Sequence, residues 1–161
     1  MKAHDIQLLV LDVDGTLTDG GMYISEKGDE MKKFNTKDGM GIKKLMKTGV
    51  EVAFLSASIS KKIVHYRAAM LGVKYCYAGN ADKIEVLSQW LDELDMSFEN
   101  VAFIGDDIND AGVMQQVGLS ACPVDALSEV REIANIVLEK KGGQGCVREF
   151  IDRVFANRFL V

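Results

Sequence analysis

With 161 residues, 48% of them hydrophobic and 27% charged, the chain has the material for one globular domain with a substantial core, which excludes fibrous and disordered classes. A formal net charge of -5 argues against broad contact with a phosphate backbone, so nucleic acid is not an expected partner. The three cysteines, Cys76, Cys122 and Cys146, are widely spaced and form no CxxC pair. They suggest neither a disulfide framework nor a zinc site and read as buried thiols of a reducing compartment.

The opening residues, MKAHDIQ, carry no apolar signal-peptide core, and no apolar run approaches membrane-spanning length, so a cytoplasmic protein with no membrane partner is expected. Leu8 to Gly20 reads LLVLDVDGTLTDG. Its four apolar residues predict a strand buried on both faces, with Asp12 where the strand ends and Asp14 two positions on. From about 20 to 35, MYIS and EMKKFN flank the polar Glu26-Lys27-Gly28-Asp29, which predicts a β-hairpin projecting from the sheet. Asp38 is then expected to cap a helix carrying Met40, Ile42, Leu45 and Met46, closed by Gly49.

VEVAFLS predicts a second buried strand ending at Ser56, and Ser60 to Leu71 a helix stopped by Gly72. Val73 to Ala78 reads as a third strand. Asn80-Ala81-Asp82-Lys83 opens a helix with Ile84, Leu87, Leu91 and Leu94 on its inner face. VAFIGDD gives a fourth strand ending in Gly105-Asp106-Asp107, followed by a short helix over 109–117, the strand LSACPV, a helix over 126–134 and a strand over 136–138. A glycine-rich turn, Gly142-Gly143-Gln144-Gly145, precedes a last amphipathic helix to about Phe155. Strands and helices alternate throughout, so the expected fold is α/β, a doubly wound and mainly parallel sheet with helices on both faces.

In such sheets ligands bind at the carboxyl ends of the strands. Three strands end in Asp12/Asp14, Ser56 and Asp106/Asp107, and a helix begins at Lys83; if the strands are parallel neighbours, these groups meet at one edge. Asp12 and Asp106 can share a divalent metal, and oxygen ligands with no His or Cys nearby favour Mg2+ over zinc. A phosphoryl group neutralised by that metal could be attacked by a carboxylate, with Ser56 offering a hydroxyl and Lys83 a fixed positive charge. Lys83 in a helix's first turn opposes the macrodipole, which favours an anion nearby. Asp107 and Asp110 are candidates for orienting the ligands. Spacing alone does not tell whether Asp12 or Asp14 is the nucleophile.

The four ordered motifs, Asp12-Val13-Asp14-Gly15-Thr16, Ser56, Lys83, and Gly105-Asp106-Asp107 with Asp110, resemble those of the haloacid dehalogenase superfamily of phosphatases. The resemblance extends to the 3-deoxy-D-manno-octulosonate 8-phosphate phosphatase subfamily through Leu17-Thr18-Asp19-Gly20, Lys33-Phe34, Lys37-Asp38-Gly39, Arg67 with Leu71-Gly72, Ala78-Gly79, and Gly142-Gly143 with Gly145 and Val147-Arg148-Glu149. It implies a Rossmann-like, capless single domain over 1–161, with the hairpin at about 20–35 and a glycine-rich tail from about 142. It also implies a homotetramer whose active sites are completed by neighbouring subunits, and a place in lipopolysaccharide biosynthesis. Asp12 would be the nucleophile, Asp14 the general acid and base, and Mg2+ would be bound by Asp12, Asp106 and the main-chain carbonyl of Asp14. Ala57, Arg67 and Arg148 would be substrate-binding candidates, the substrate being a phosphorylated sugar acid.

About forty residues separate Asp14 from Ser56, enough for a hairpin, a helix and a strand but not for a lid domain. Where the subfamily commonly has Gly-Arg after the motif serine or threonine, this chain reads Ser56-Ala57-Ser58. An arginine there suits a substrate carboxylate, because its planar fork pairs bidentately. A nine-carbon sugar acid phosphate or another small phosphate ester is therefore an alternative substrate. A signalling receiver domain uses similar residue types but in a different chain order, and a catalytically silent subunit would not need the intact carboxylates.

Overall fold

The computed structural model describes residues 5–160, so the first four residues of the signal-peptide reading lie outside the described residues. Eight strands and six α-helices follow in order: β1 Leu8–Leu11, β2 Tyr23–Ile24, β3 Glu30–Met31, α1 Thr36–Met46, β4 Glu51–Ser56, α2 Lys61–Leu71 and β5 Tyr75–Ala78. Then come α3 Lys83–Leu94, β6 Val101–Ile104, α4 Ala111–Met114, β7 Leu119–Cys122, α5 Ser128–Ile133, β8 Ile136–Val137 and α6 Cys146–Val154.

The apolar run of β1 is wholly buried because side chains alternate between two covered faces. Leu9 and Leu11 pack with Ile42 and Leu45 of α1, Val64 of α2, and Phe150 and Ile151 of α6. Leu8 and Val10 pack on the other face with Leu87 and Leu91 of α3, Val113 of α4 and Val130 of α5. Six strands form one sheet in the order β5-β4-β1-β6-β7-β8, each adjacent pair parallel. This is the doubly wound arrangement expected from the alternation. The chain moves outward from β1 to β4 and β5, then returns past β1 to β6. The order therefore reverses between β1 and β6, and a crevice opens at their carboxyl ends.

Strands β2 and β3 pair only with each other, and a Thr18–Phe34 bridge closes the base of the hairpin. Between Asp14 and Ser56 the chain forms β2, β3, α1 and β4, with no inserted lid among the described residues. The helix expected over 109–117 is shorter: a tight 3-10 turn over Ile108–Asp110 runs into the four residues of α4. Cys122 and Cys146 are buried, Cys76 is half-buried, and all three are free thiols.

The cap of α1 differs from the expectation. Asn35, not Asp38, caps it, accepting the Lys37 N–H at 2.8 Å. Asp38 is 1% exposed, and its carboxylate accepts the Arg148 N–H at 2.8 Å. The residue before α6 is Gly145, which has no side chain to cap with, so a carboxylate from α1 serves the open N–H groups of α6. Two helices distant in sequence are thereby joined.

Burial pushes the Asp38 carboxyl up to about 6, against the pull of the Arg148 N–H and of the Lys140 and Arg67 charges. The folded state thus holds this proton more tightly than the unfolded chain. Its contribution to stability is complete below about pH 4 and is lost as the pH rises to about 6. Asp38→Asn, which carries no charge to bury, is expected to gain stability relative to the native chain across that interval by up to about 3 kcal/mol, and then to level off. Thermal melting of both proteins from pH 4 to 8 measures the difference.

Candidate active site

Asp12 follows β1 directly, and its N–H is fixed by the Ile104 carbonyl of β6 at 3.0 Å. Asp106 follows β6, Ser56 ends β4, and Lys83 opens α3 behind its cap Asp82, whose carboxylate accepts the Ile84 N–H at 2.7 Å. The parallel register brings these groups to one edge. The Lys83 ammonium lies 2.6 Å from both Asp12 Oδ1 and Asp110 Oδ1. The other Asp110 oxygen accepts the N–H groups of Asp106 and Asp107 at 3.0 and 3.3 Å, holding the loop after β6 against the lysine. The Ser56 hydroxyl oxygen accepts the Ser58 N–H at 3.0 Å, so its own proton is free to be donated. Asp12, Asp14, Ser56 and Asp106 line one cleft of about 190 Å³, whose rim includes Ala57, Asp107 and Asn109.

The loop between Asp12 and Thr18 is held from behind. Gly15 has φ +87°, and any side chain there would collide with the Asp106 carboxylate. The glycine-rich turn before α6 lies against the same loop. The Gly143 N–H donates to the Thr16 carbonyl at 3.0 Å, the Cys146 thiol reaches that carbonyl at 3.3 Å, and Gly142 packs so tightly on the Gly15 carbonyl that a Cβ would overlap it. Gly142 is anchored in turn by the Asp125 carboxylate at 2.9 Å.

Electrostatics are dominated by buried carboxylates. Burial and the Asp110 charge push Asp12 well above the usual carboxylate range, although Lys83 pulls the other way. Burial, with the Asp110 and Asp107 charges, raises Asp106 to about 7. Burial opposes the Lys83 charge, but the Asp12 and Asp110 carboxylates outweigh it and hold its pKa above the ordinary lysine value.

The cluster fits a hard divalent cation. Oxygens of Asp12, Asp106 and Asp110 lie within 4.8 Å of one another, and Asp106 Oδ1 is buried with no hydrogen-bond partner. Both Asp110 oxygens are already engaged, which leaves Asp12 and Asp106 as the side chains with capacity for an ion. An all-oxygen donor set suits Mg2+.

Asp14 lies at the mouth, its side chain 42% exposed, with Oδ1 2.6 Å from the Lys32 ammonium just after β3. Lys32 and Asn109 were not singled out as site residues by sequence reasoning, and Ser58 only as the position where the subfamily commonly has arginine. The KKFN run marks only a strand, and nothing local shows that Lys32 folds back over eighteen residues. Asp107 caps the turn that follows it through the Ile108 N–H, at 2.6 Å. Arg67 and Arg148 are not brought into the cleft. The Arg67 guanidinium donates to the Asn35 carbonyl at 3.4 Å and lies over the Phe34 ring, while Arg148 pairs with Asp152 at 2.6 Å.

Comparison with known proteins points to one family. The family model of haloacid dehalogenase-like hydrolases matches residues 58–151. The chain is 42% identical over 151 residues to the 3-deoxy-D-manno-octulosonate 8-phosphate phosphatase KdsC of Escherichia coli (strain K12), covering 94% of this chain and 80% of that protein. The crystal structure of the 3-deoxy-D-manno-octulosonate 8-phosphate phosphatase from Yersinia pestis superposes with a TM-score of 0.93 at 39% identity, covering 98% of this chain and 84% of that one. The corresponding phosphatase from Moraxella catarrhalis, solved in complex with magnesium ion, phosphate ion and KDO, gives 0.91 at 30% identity, covering 96% and 88%.

A cation entering between Asp12 and Asp106 must displace the proton that Asp106 holds up to about pH 7. Titration calorimetry of the protein with Mg2+ at pH 6.5, in buffers of different ionisation enthalpy, is expected to show proton release that fades by pH 8.5, with apparent affinity rising over the same range. Asp106→Asn is expected to lose both the proton release and most of the affinity.

Proposed function

The chain belongs to the haloacid dehalogenase-like hydrolase family, and on that premise we propose that it is a capless, single-domain, Mg2+-dependent phosphatase that hydrolyses 3-deoxy-D-manno-octulosonate 8-phosphate through an aspartyl-phosphate. The observation that carries the proposal is the meeting of Asp12, Ser56 and Asp106 around one cleft of about 190 Å³, with Asp14 at its mouth and Lys83 bonded to Asp12 behind it. At roughly 30 Å³ per water in the liquid, this volume has room for a phosphoryl group with a hydrated cation beside it.

The roles follow from position. Asp12 is fixed at the strand end, and its carboxylate attacks phosphorus to form an acyl phosphate. Asp14, near enough to solvent to exchange protons, gives one to the departing sugar oxygen. It then takes one from the water that attacks the acyl phosphate, which releases inorganic phosphate and restores Asp12. Lys83 spends two of its three N–H donors on Asp12 and Asp110, leaving one for a phosphoryl oxygen; the Ser56 hydroxyl supplies another donor. Asp12, Asp106 and the main-chain carbonyl of Asp14 would hold Mg2+, which would supply positive charge to offset the phosphoryl oxygens.

The same proposal includes a cytoplasmic homotetramer on the route to lipopolysaccharide. Met22, Ile24 and Met31 of the hairpin remain 70%, 61% and 66% exposed, and apolar surface of this kind is normally covered by a partner. A neighbouring hairpin would close the open side of the cleft.

One observation favours a second reading of the substrate, another small phosphate ester that lacks a carboxylate. Ser58, which stands where the subfamily commonly has arginine, borders both the phosphoryl cleft and an adjoining one of about 290 Å³, and brings no charge for a substrate carboxylate.

Phosphate release from 3-deoxy-D-manno-octulosonate 8-phosphate is expected to disappear in EDTA and to fall at least about 10³-fold in Asp12→Asn; full turnover in either refutes the mechanism. Over a panel of sugar acid phosphates and of sugar phosphates without a carboxylate, Ser58→Arg is expected to shift the ratio of kcat/KM values towards the sugar acids. An unchanged ratio would place specificity away from position 58.

A further inference from the structure

The Asp14 carboxylate sits on a loop, is partly open to water, and has Lys32 as its one side-chain hydrogen-bond partner among the described residues. The Lys32 side chain is only 4% exposed, which is unusual for a lysine on a projecting hairpin. Its ammonium is held on the far side by Glu30 at 2.8 Å. Glu30 accepts the Ser60 hydroxyl at the start of α2, and the Ser60 N–H donates to the Ser58 hydroxyl at 3.2 Å. The Ser58 N–H in turn donates to the Ser56 hydroxyl at 3.0 Å. An unbroken run of polar contacts thus leads from Asp14 through the base of the hairpin to Ser56, around the wall of the adjoining cleft that Asp14, Glu30, Lys32 and Ser58 line.

We propose that Lys32 is a positioning residue for the reaction: through its contact with Oδ1 it fixes the Asp14 side chain so that the other oxygen faces the bond to the leaving group, and through Glu30 and Ser60 it ties that geometry to the Ser56 side of the cleft. The inference rests on the reading of Asp14 as the acid that protonates the departing oxygen. A carboxylate on an exposed loop samples several rotamers, and a proton donor misplaced by about 1 Å loses much of its effect. A buried ammonium engaged by two carboxylates removes that freedom without blocking the second Asp14 oxygen. Ser60 shows the same priority: it precedes α2 but makes no capping hydrogen bond there, its hydroxyl being given to Glu30 instead.

A donor positioned for the leaving group matters for a poor leaving group and little for a good one. The test compares first-turnover rates of 3-deoxy-D-manno-octulosonate 8-phosphate, which departs as an alkoxide-like sugar oxygen, with those of p-nitrophenyl phosphate, which needs little protonation. It uses the full chain with Mg2+, as the native protein and as Lys32→Met, Lys32→Arg and Asp14→Asn. Lys32→Met is expected to lose about 10- to 100-fold on the sugar ester and at least tenfold less on the aryl ester, with Lys32→Arg recovering part of the difference. Asp14→Asn is expected to show the same bias more strongly.

If Asp14→Asn shows the bias while Lys32→Met slows both esters equally, or slows neither, the positioning role is overturned and the proposed mechanism stands. If Asp14→Asn shows no bias, the acid role fails, and the inference falls with it. Should Lys32→Met melt early because Asp14 and Glu30 face each other unpaired, Glu30→Gln combined with Lys32→Met removes that repulsion, and the same comparison of two esters decides.

Discussion

The contact on which the site depends is the Lys83 ammonium, held 2.6 Å from both Asp12 and Asp110 beneath the carboxyl ends of β1 and β6. Breaking one side of a buried pair typically costs about 3–5 kcal/mol, because a charge is left without a partner. The contact therefore holds α3 to the loop after β6 as firmly as it serves chemistry. It also leaves an imbalance: Asp12, Asp106 and Asp110 converge, and one ammonium cannot neutralise three carboxylates. Burial first, and that excess second, raise the pKa values of Asp12 and Asp106, and a divalent cation beside the unpartnered Asp106 oxygen would relieve the excess. Lys83 is one cation beside Asp12, and a metal held by Asp12 and Asp106 would be a second, which would favour the ionised form of a buried carboxylate.

Ionisation alone does not fix the position of Asp12, and the fold does that by backing its loop twice. Asp106 closes on Gly15 from one side, while the turn of Gly142 and Gly143 presses on Gly15 and Thr16 from the other, with hydrogen bonds to the Thr16 carbonyl. That turn is fixed at both ends, at Gly142 by Asp125 and beyond Gly145 by Asp38, whose carboxylate caps α6. The C-terminal segment is thus part of the active-site scaffold, although it lies about 130 residues from the loop it supports. Glycines stand there because two backbones pass closer than a Cβ allows.

Elements set by periodicity were legible in the sequence. The buried runs of β1, β4 and β6 end where the apolar pattern ends, and a parallel sheet then brings Asp12, Ser56, Asp106 and Lys83 to one edge. What was not legible depends on contacts between distant segments. Asp38 has the sequence signature of a helix cap, and Asn35, three residues earlier, holds that position because the chain turns helical sooner. Lys32 looks like one more surface lysine until the hairpin folds back on Asp14. Arg67 and Arg148 read as candidate ligands for a carboxylate because arginine pairs well with one, yet local partners occupy both, Phe34 with the Asn35 carbonyl and Asp152. Sequence shows which groups could pair and leaves open which pairings the fold satisfies.

The two adjoining clefts divide the work unequally. The inner cleft, about 190 Å³ and lined mainly by polar residues from the sheet edge, is formed by rigid strand ends. Geometry for phosphoryl transfer is best kept there, since small displacements are costly. The outer cleft of about 290 Å³ is walled by Met22, Glu30, Lys32 and Ile59, from the hairpin and the approach to α2. A wider groove of about 600 Å³ continues along the hairpin flank past Ile24 to Ile63. These walls come from connections, which can change without disturbing the sheet. A capless phosphatase has no lid with which to enclose its substrate, so selectivity must come from such edges, and the Asp14–Lys32–Glu30–Ser60 run joins that edge to the mouth of the inner cleft. The hairpin both contributes to the outer wall and holds Asp14 through Lys32, so with Asp14 in the proposed acid role one element would link substrate fit to leaving-group protonation.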